Sequence, residues 1–354
     1  MSTAPIVQLA STSVDRQGIS LVTATKSATD PTVGKIYDPV NLAAAVPIFF
    51  HDLGNNSFVG VFSRRWKNAT VAAGGNPANF SAYTEDTSPS WAIINSITGQ
   101  KTPISGSFAI PMTTPNDSHV VVGGLSVPPN YLYLLNTVIN GGAKSAVIQH
   151  FMFNYWGVTS TLSEETIPLV TADSQNVLFS GGMYFNGLHV IVIGVGQTDQ
   201  GIYLARKTYG MVGATTKPWE YQSAKGWSTD ASQIAKVLKT DSTPLTTLDA
   251  CSGLIFKGRE FLSTVQGATD RTGVVYAKKL MQWSQVNTTS LGTAGITYLG
   301  PLYLQPALGA NPAAAVLANQ ANGAAVPFVI SQLISDGTNS AINVAWDLQP
   351  ITRI

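Results

Sequence analysis

Thr198-Asp199-Gln200-Gly201-Ile202-Tyr203-Leu204-Ala205-Arg206-Lys207 is a polar turn, an apolar run and a basic pair. The chain repeats the pattern at Thr269-Asp270-Arg271-Thr272-Gly273-Val274-Val275-Tyr276-Ala277-Lys278-Lys279. From Gly201 and Gly273 onward the two align without a gap, 72 residues apart. Trp219 follows the first copy and Trp283 the second. A shorter echo is Gly60-Val61-Phe62-Ser63-Arg64-Arg65-Trp66. Such recurrence marks one supersecondary unit used several times, and β-propeller blades of ~40–50 residues have this look. The 72-residue spacing exceeds one blade, so it predicts a loop or helix insertion near 207–253. The expectation is an all-β chain: an N-terminal arm or peripheral strands over 1–46, then a β-propeller over 47–354 with five blades, or at most six. A β-sandwich whose hairpins are alike by composition is the alternative fold.

Working outward, the same grammar recurs. Ile48-Phe49-Phe50 leads through Asp52-Leu53-Gly54-Asn55-Asn56 into Ser57-Phe58-Val59-Gly60-Val61-Phe62. Apolar runs bounded by Gly, Asn and Asp are hairpin signals. Residues 131–138 and 146–156 flank Asn140-Gly141-Gly142, and 328–334 and 341–346 flank Asp336-Gly337-Thr338-Asn339. Helix signals are few. Asp230 could cap a helix over 231–239, with Ile234, Val237 and Leu238 as its apolar stripe. The alanine-rich stretch 311–319 is a weaker candidate.

Composition narrows the function classes. Only 11% of the 354 residues are charged, against roughly 25% in ordinary soluble domains, and the net charge is +1. Hydrophobic residues make up 44%, which excludes a disordered chain. So neutral a surface carries no field for nucleic acid. One cysteine, Cys251, excludes an internal disulfide and a thiolate zinc cluster. No run reaches the ~18 apolar residues of a membrane span. Met1-Ser2-Thr3-Ala4-Pro5 lacks the basic start of a secretory signal. Low charge without that signal fits a phage virion protein, made in a host cytoplasm and released by lysis. Low surface charge also favours a homo-oligomer.

Motifs for cofactors fail. Val190-Ile191-Val192-Ile193-Gly194-Val195-Gly196 resembles a dinucleotide turn, but Asp199 stands where a third glycine belongs and a strand follows. The four histidines have no metal-ligand spacing, so neither metal nor cofactor is expected. Carboxylates and aromatics remain. Glycoside cleavage needs two acids around one sugar. Asp52, after an apolar strand and before a Gly-Asn-Asn turn, is the first candidate, and Glu260 the second. Asp173 and Asp249 are weaker, and a turn cap or an exposed hairpin position is the favoured reading of each of these acids. Sugar CH faces pack on aromatic rings. Trp219, Tyr221 and Trp227 in the Pro218–Gly226 neighbourhood suggest a binding rim, with Trp227 preferred because it lies outside the repeat. Tyr155 and Trp156 are further candidates.

The Thr-Asp…Gly-Ile-Tyr-Leu-Ala-Arg-Lys unit, Pro218-Trp219-Glu220-Tyr221 and the Asp52 turn resemble pieces of five-bladed propellers. These occur in arabinan-cleaving glycoside hydrolases of actinobacteria and in minor tail proteins of their phages. The resemblance covers residues 47–290 in style. Its acid turn reads His51-Asp52-Leu53-Gly54 here, so only the acid carries over. The resemblance implies a phage tail or fibre protein that binds host cell-surface polysaccharide beside other tail proteins. A glycoside hydrolase acting on cell-wall polysaccharide is the alternative. A capsid or other self-assembling subunit is the third.

Overall fold

The computed structural model describes residues 42–54, 57–67, 84–86, 90–95, 101–107, 118–127, 131–154, 157–158, 162–248, 251–256, 259–267, 272–290, 297–298, 303–306, 326–335 and 342–351. They form five successive β-sheets, the pattern of a five-bladed β-propeller. The first holds β1 (Leu42–Gly54), β2 (Ser57–Lys67), β3 (Thr84–Asp86), β4 (Ser90–Asn95) and β5 (Lys101–Ser107). The second holds β6 (Ser118–Val127), β7 (Tyr131–Asn140), β8 (Ala143–Asn154), β9 (Gly157–Val158) and β10 (Ser163–Ile167). The third runs through β11 (Val170–Ala172), β12 (Gln175–Phe185), β13 (His189–Gly196), β14 (Ile202–Thr208), β15 (Glu220–Ser223) and β16 (Gly226–Ser228) in that order. The fourth is β17 (Leu238–Lys239), then β21 (Gln282–Ser290), β20 (Thr272–Lys279), β19 (Arg259–Gln266) and β18 (Ser252–Phe256). The fifth holds β22 (Thr297–Tyr298), β23 (Tyr303–Pro306), β24 (Val326–Ser335) and β25 (Ile342–Ile351). Two compact units result. One contains the first and last sheets, with β1 beside β23, β24 and β25; the other contains the second, third and fourth.

The repeated sequence unit has one structural meaning. Its copies are β14 and β20, each two strands outward from the innermost strand of its sheet, β12 or β18. The continuous apolar run of β13 also has a cause. Val190 and Val192 enter one core cluster with Tyr133, Ile148 and Phe179, while Ile191 and Ile193 enter another with Leu262, Tyr276 and Trp283. The third sheet is thus covered on both faces, and alternation gives way to unbroken hydrophobicity.

The inner strands meet at β12. A Cβ on Gly123 of β6 would lie 3.1 Å from the Met183 nitrogen. One on Gly253 of β18 would lie 2.5 Å from the Tyr184 ring and 2.9 Å from the Phe261 carbonyl oxygen. The Cys251 amide donates to the Gly181 carbonyl, joining the fourth sheet to the third. Glycine is required at these points because backbone faces side chain with no gap between them.

Two expectations change. Over 231–239 there is no α-helix, only a 3-10 turn at Ala231–Gln233. Asp230 does cap it, accepting from the Ser232 amide. The amides of Ala235 and Val237 then donate to the Gln222 and Ile202 carbonyls, so neighbouring strands outcompete the helical partner. The 207–253 segment is less a loop than sheet edge: it supplies β15 and β16 to the third sheet and β17 to the fourth. Among the described residues, Leu42-Ala43-Ala44-Ala45-Val46, within the span expected to hold an arm or peripheral strands, continues the ladder against the end of β2 through bulges. Residues 1–41 and 311–319 lie outside the described residues.

Gly253→Ala is predicted to destabilise the protein by about 1–3 kcal/mol, the usual cost of overpacking. Gly210→Ala, where a Cβ meets nothing within 4 Å, should stay within about 0.5 kcal/mol. Urea unfolding of both variants checks this; equal midpoints would refute the close-approach argument.

Candidate functional site

A groove of about 760 Å³ opens at the start of β12. Lys144, Asn176, Ser180, Gln197, Gln200 and Thr247 supply its polar lining, and Leu169, Leu178 and Leu248 its apolar lining. Three features build it. First, β12 bulges: Leu178 pairs with Val195 and Gly182 with Ile193, so Phe179, Ser180 and Gly181 stand opposite Gly194 alone. Bulges re-aim side chains, and this one puts Ser180 on the groove wall. Gly194 is needed there, since a Cβ would come within 2.7 Å of Val177 and 2.9 Å of Phe179.

Second, the β13–β14 turn is pinned. Gln200 donates to the Gly196 carbonyl at 3.1 Å, Gln197 to the Asn176 carbonyl at 3.0 Å, and the Thr247 amide to the Gln200 carbonyl at 3.0 Å. Gln200 holds φ +58°, a left-handed conformation that a side-chain-bearing residue keeps only when its surroundings impose it. Third, a charged cluster braces the same turn from behind. Lys236 pairs with Asp199 at 2.7 Å and with Asp173 at 3.0 Å. Gln175 Oε1 accepts from the Thr198 and Asp199 amides at 3.0 and 3.2 Å. The Tyr203 hydroxyl donates to Asp173 at 3.2 Å. Burial pushes the Asp199 carboxyl up, but Lys236, the Gly201 amide and Gln175 more than offset this and hold it below its ordinary value.

The residues singled out in the sequence fall elsewhere. Glu260, on β19, is anchored: Lys278 Nζ reaches its two oxygens at 3.1 and 3.0 Å, and the buried Tyr184 hydroxyl donates to it at 2.7 Å. Trp219 is 4% exposed and Tyr221 5%, both inside the core, so neither ring offers a face to a sugar. The correction has a physical cause. Trp219 Nε1 donates to Glu165 at 2.9 Å, and Lys207 Nζ reaches the same carboxylate at 2.7 Å, which fixes the indole inward. Tyr221 packs against Phe179. Trp227 is half-buried, with the Arg206 guanidinium 4.4 Å from its ring centroid. Asp52 lies near the end of β1, paired with Phe58; its side chain lies outside the described ones. Tyr155, Trp156 and Asp249 also lie outside the described residues. Asp173 braces the turn as above. The groove's own residues were missed, although the amide-rich Gln197-Thr198-Asp199-Gln200 turn was visible as a hairpin. Cys251 is buried, and burial pushes its thiol far up, so it is no nucleophile.

No family model and no curated protein matches the chain. Solved structures do. The GH43_1 enzyme from Xanthomonas citri complexed with xylose superposes with a TM-score of 0.51 at 10% identity, over 89% of this chain and 88% of that one. The same enzyme complexed with xylotriose gives 0.50 at 11% identity, over 89% of each chain. A putative hydrolase from Bacteroides ovatus ATCC 8483 gives 0.50 at 10% identity, over 87% and 86%. The likeness is one of fold, and it is to GH43 five-bladed β-propellers.

The Asp199 environment makes a pH prediction. A carboxyl with a lowered folded value stabilises the protein above its unfolded value, ~3.9, and loses that contribution as pH falls through the folded value. Lys236→Met removes one depressing partner. The Tm gap between parent and variant should be full above about pH 4 and close below it. A gap independent of pH would show that Lys236 contributes by packing alone.

Proposed function

We propose that the protein is a glycoside hydrolase of the β-propeller type acting on polysaccharide. The observation that carries this reading is the likeness, over nine-tenths of both chains, to a GH43_1 enzyme complexed with xylose and with xylotriose. Cleavage needs a general acid and a second carboxylate about 5–10 Å apart. Asp52, at the end of the hairpin strand β1, is the leading candidate for one of them. Glu260 is held by hydrogen bonds from Lys278 and Tyr184, which gives it a structural role.

One observation favours a second reading, a phage tail or fibre protein that holds a host glycan intact. Each Glu whose side chain is described is engaged: Glu164 accepts from Gln149, and Glu165, Glu220 and Glu260 are paired with Lys207, Arg206 and Lys278. Among the described residues no carboxylate lines the groove. In that setting the protein would sit in a virion as a homo-oligomer beside other tail proteins.

Release of reducing sugar from xylan and arabinan decides between them. A hydrolase releases oligosaccharide, and Asp52→Asn lowers the rate by about 10²–10⁴-fold, the usual contribution of a general acid or base. Binding of the polymer without release, unchanged in Asp52→Asn, would favour the intact-glycan reading.

A further inference from the structure

The groove at the start of β12 has a chemistry that selects its ligand. Among the described residues the charged groups on and behind it are Lys144, Lys236, Asp173 and Asp199, two of each sign, so they cancel. Lys144 makes no ion pair with a described residue. The side-chain amides of Gln197 and Gln200 likewise have no partner among the described residues, although their backbones are fixed by the hydrogen bonds that pin the turn. Each such amide offers two N–H donors and a carbonyl acceptor. A sugar hydroxyl is itself donor and acceptor, and so meets an amide on equal terms. An anionic ligand would meet a single lysine, offset by the net negative Lys236–Asp173–Asp199 cluster behind the turn. The apolar part of the lining is aliphatic, with Leu169 49% exposed, and gives CH faces a dry surface without a stacking ring.

We infer that this groove is a holding subsite for an uncharged glycan segment, gripped by the side-chain amides of Gln197 and Gln200 above the exposed Leu169. The inference rests on the reading of the protein as one that handles polysaccharide. It adds the ligand class, the contact residues and an amide-based rather than aromatic mode of recognition. The rigid backbone of the turn lowers the entropy lost on binding, because only two side chains need be ordered.

The test is isothermal titration of the full chain with soluble arabinoxylan, and with polygalacturonate as the charged comparison, at low and high salt. Arabinoxylan should bind with an affinity that salt leaves unchanged, and polygalacturonate should bind no tighter. The double variant Gln197→Ala/Gln200→Ala should weaken arabinoxylan about tenfold, the loss expected for two neutral hydrogen bonds. Lys225→Gln, an exposed residue on the β15–β16 turn that does not line the groove, should stay within about twofold of the parent. Both glutamines are exposed, so an unchanged Tm confirms that the variant is folded. A preference for polygalacturonate that collapses in salt, or a double variant that binds like the parent, overturns the inference. If the parent cleaves arabinoxylan while the double variant still binds normally, this inference falls and the hydrolase reading stands. If the parent neither binds nor cleaves arabinoxylan or arabinan, both fall.

Discussion

The meeting of β12 with its neighbours is the constraint on which the three-sheet unit depends. Inner strands of adjacent sheets converge, and convergence leaves no room for side chains. Gly123 lets β6 approach Met183, and Gly253 lets β18 approach Tyr184. Once these contacts are made, the sheets must splay outward from β12. The space between them is filled by large residues: Tyr133, Phe179 and Tyr203 on one side of the third sheet, Tyr276 and Trp283 on the other. The bulge at Phe179–Gly181 belongs to the same geometry. It turns Phe179 into the core and puts Ser180 on the groove. Packing and site are therefore two results of one inner strand.

Charge is used sparingly, and its use is mostly internal. Three times a cation sits near both a carboxylate and an indole. Lys207 contacts Glu165 and lies 5.7 Å from Trp219; Arg206 contacts Glu220 and lies over Trp227; Lys278 contacts Glu260 and lies 5.8 Å from Trp283. The side chain of Lys207 is only 1% exposed, so its desolvation must be offset by Glu165 and by the Ala214 carbonyl, which accepts from it at 2.8 Å. Glu165 in turn joins the second sheet to the third. Arg206, Lys207 and Lys278 of the repeated basic pairs are thus packing devices, and they tie up acids that a glycosidase would otherwise have free.

This explains what the sequence made legible. The repeat around Gly201 and Gly273 was readable because turn, strand and basic pair are local, and local patterns survive as strings. The matching tryptophans recur at one place in the unit, and Trp219 and Trp283 are buried. The inserted segment misled in two ways. Ile234 and Val237 stand three apart as on a helix, yet that spacing serves two strands, because Ala235 and Val237 donate across to Gln222 and Ile202. Three aromatics in a Pro- and Gly-containing stretch looked like a rim, yet β15 pairs with β14 and carries Tyr221 inward. Strand pairing between distant segments decides which face a residue takes, and no local pattern records it.

The groove was hidden for a related reason. Lys144, Asn176, Gln197 and Thr247 come from four separate places in the chain, and none belongs to a motif. What brings them together is the order of strands: the β7–β8 turn, the start of β12 and the β13–β14 turn share one end of the unit, and the segment after β17 returns to it through the Thr247 amide. Asp199 shows how the turn earlier set aside as a failed nucleotide motif acquires a purpose. Its carboxylate faces Lys236 and the Gly201 amide and helps fix the backbone from which Gln197 and Gln200 project. The acid does structural work and leaves the neutral amides of Gln197 and Gln200 exposed. A chain with 11% charged residues can therefore present a polar, rigid and electrically balanced surface, which is what a ligand rich in hydroxyls and poor in charge requires.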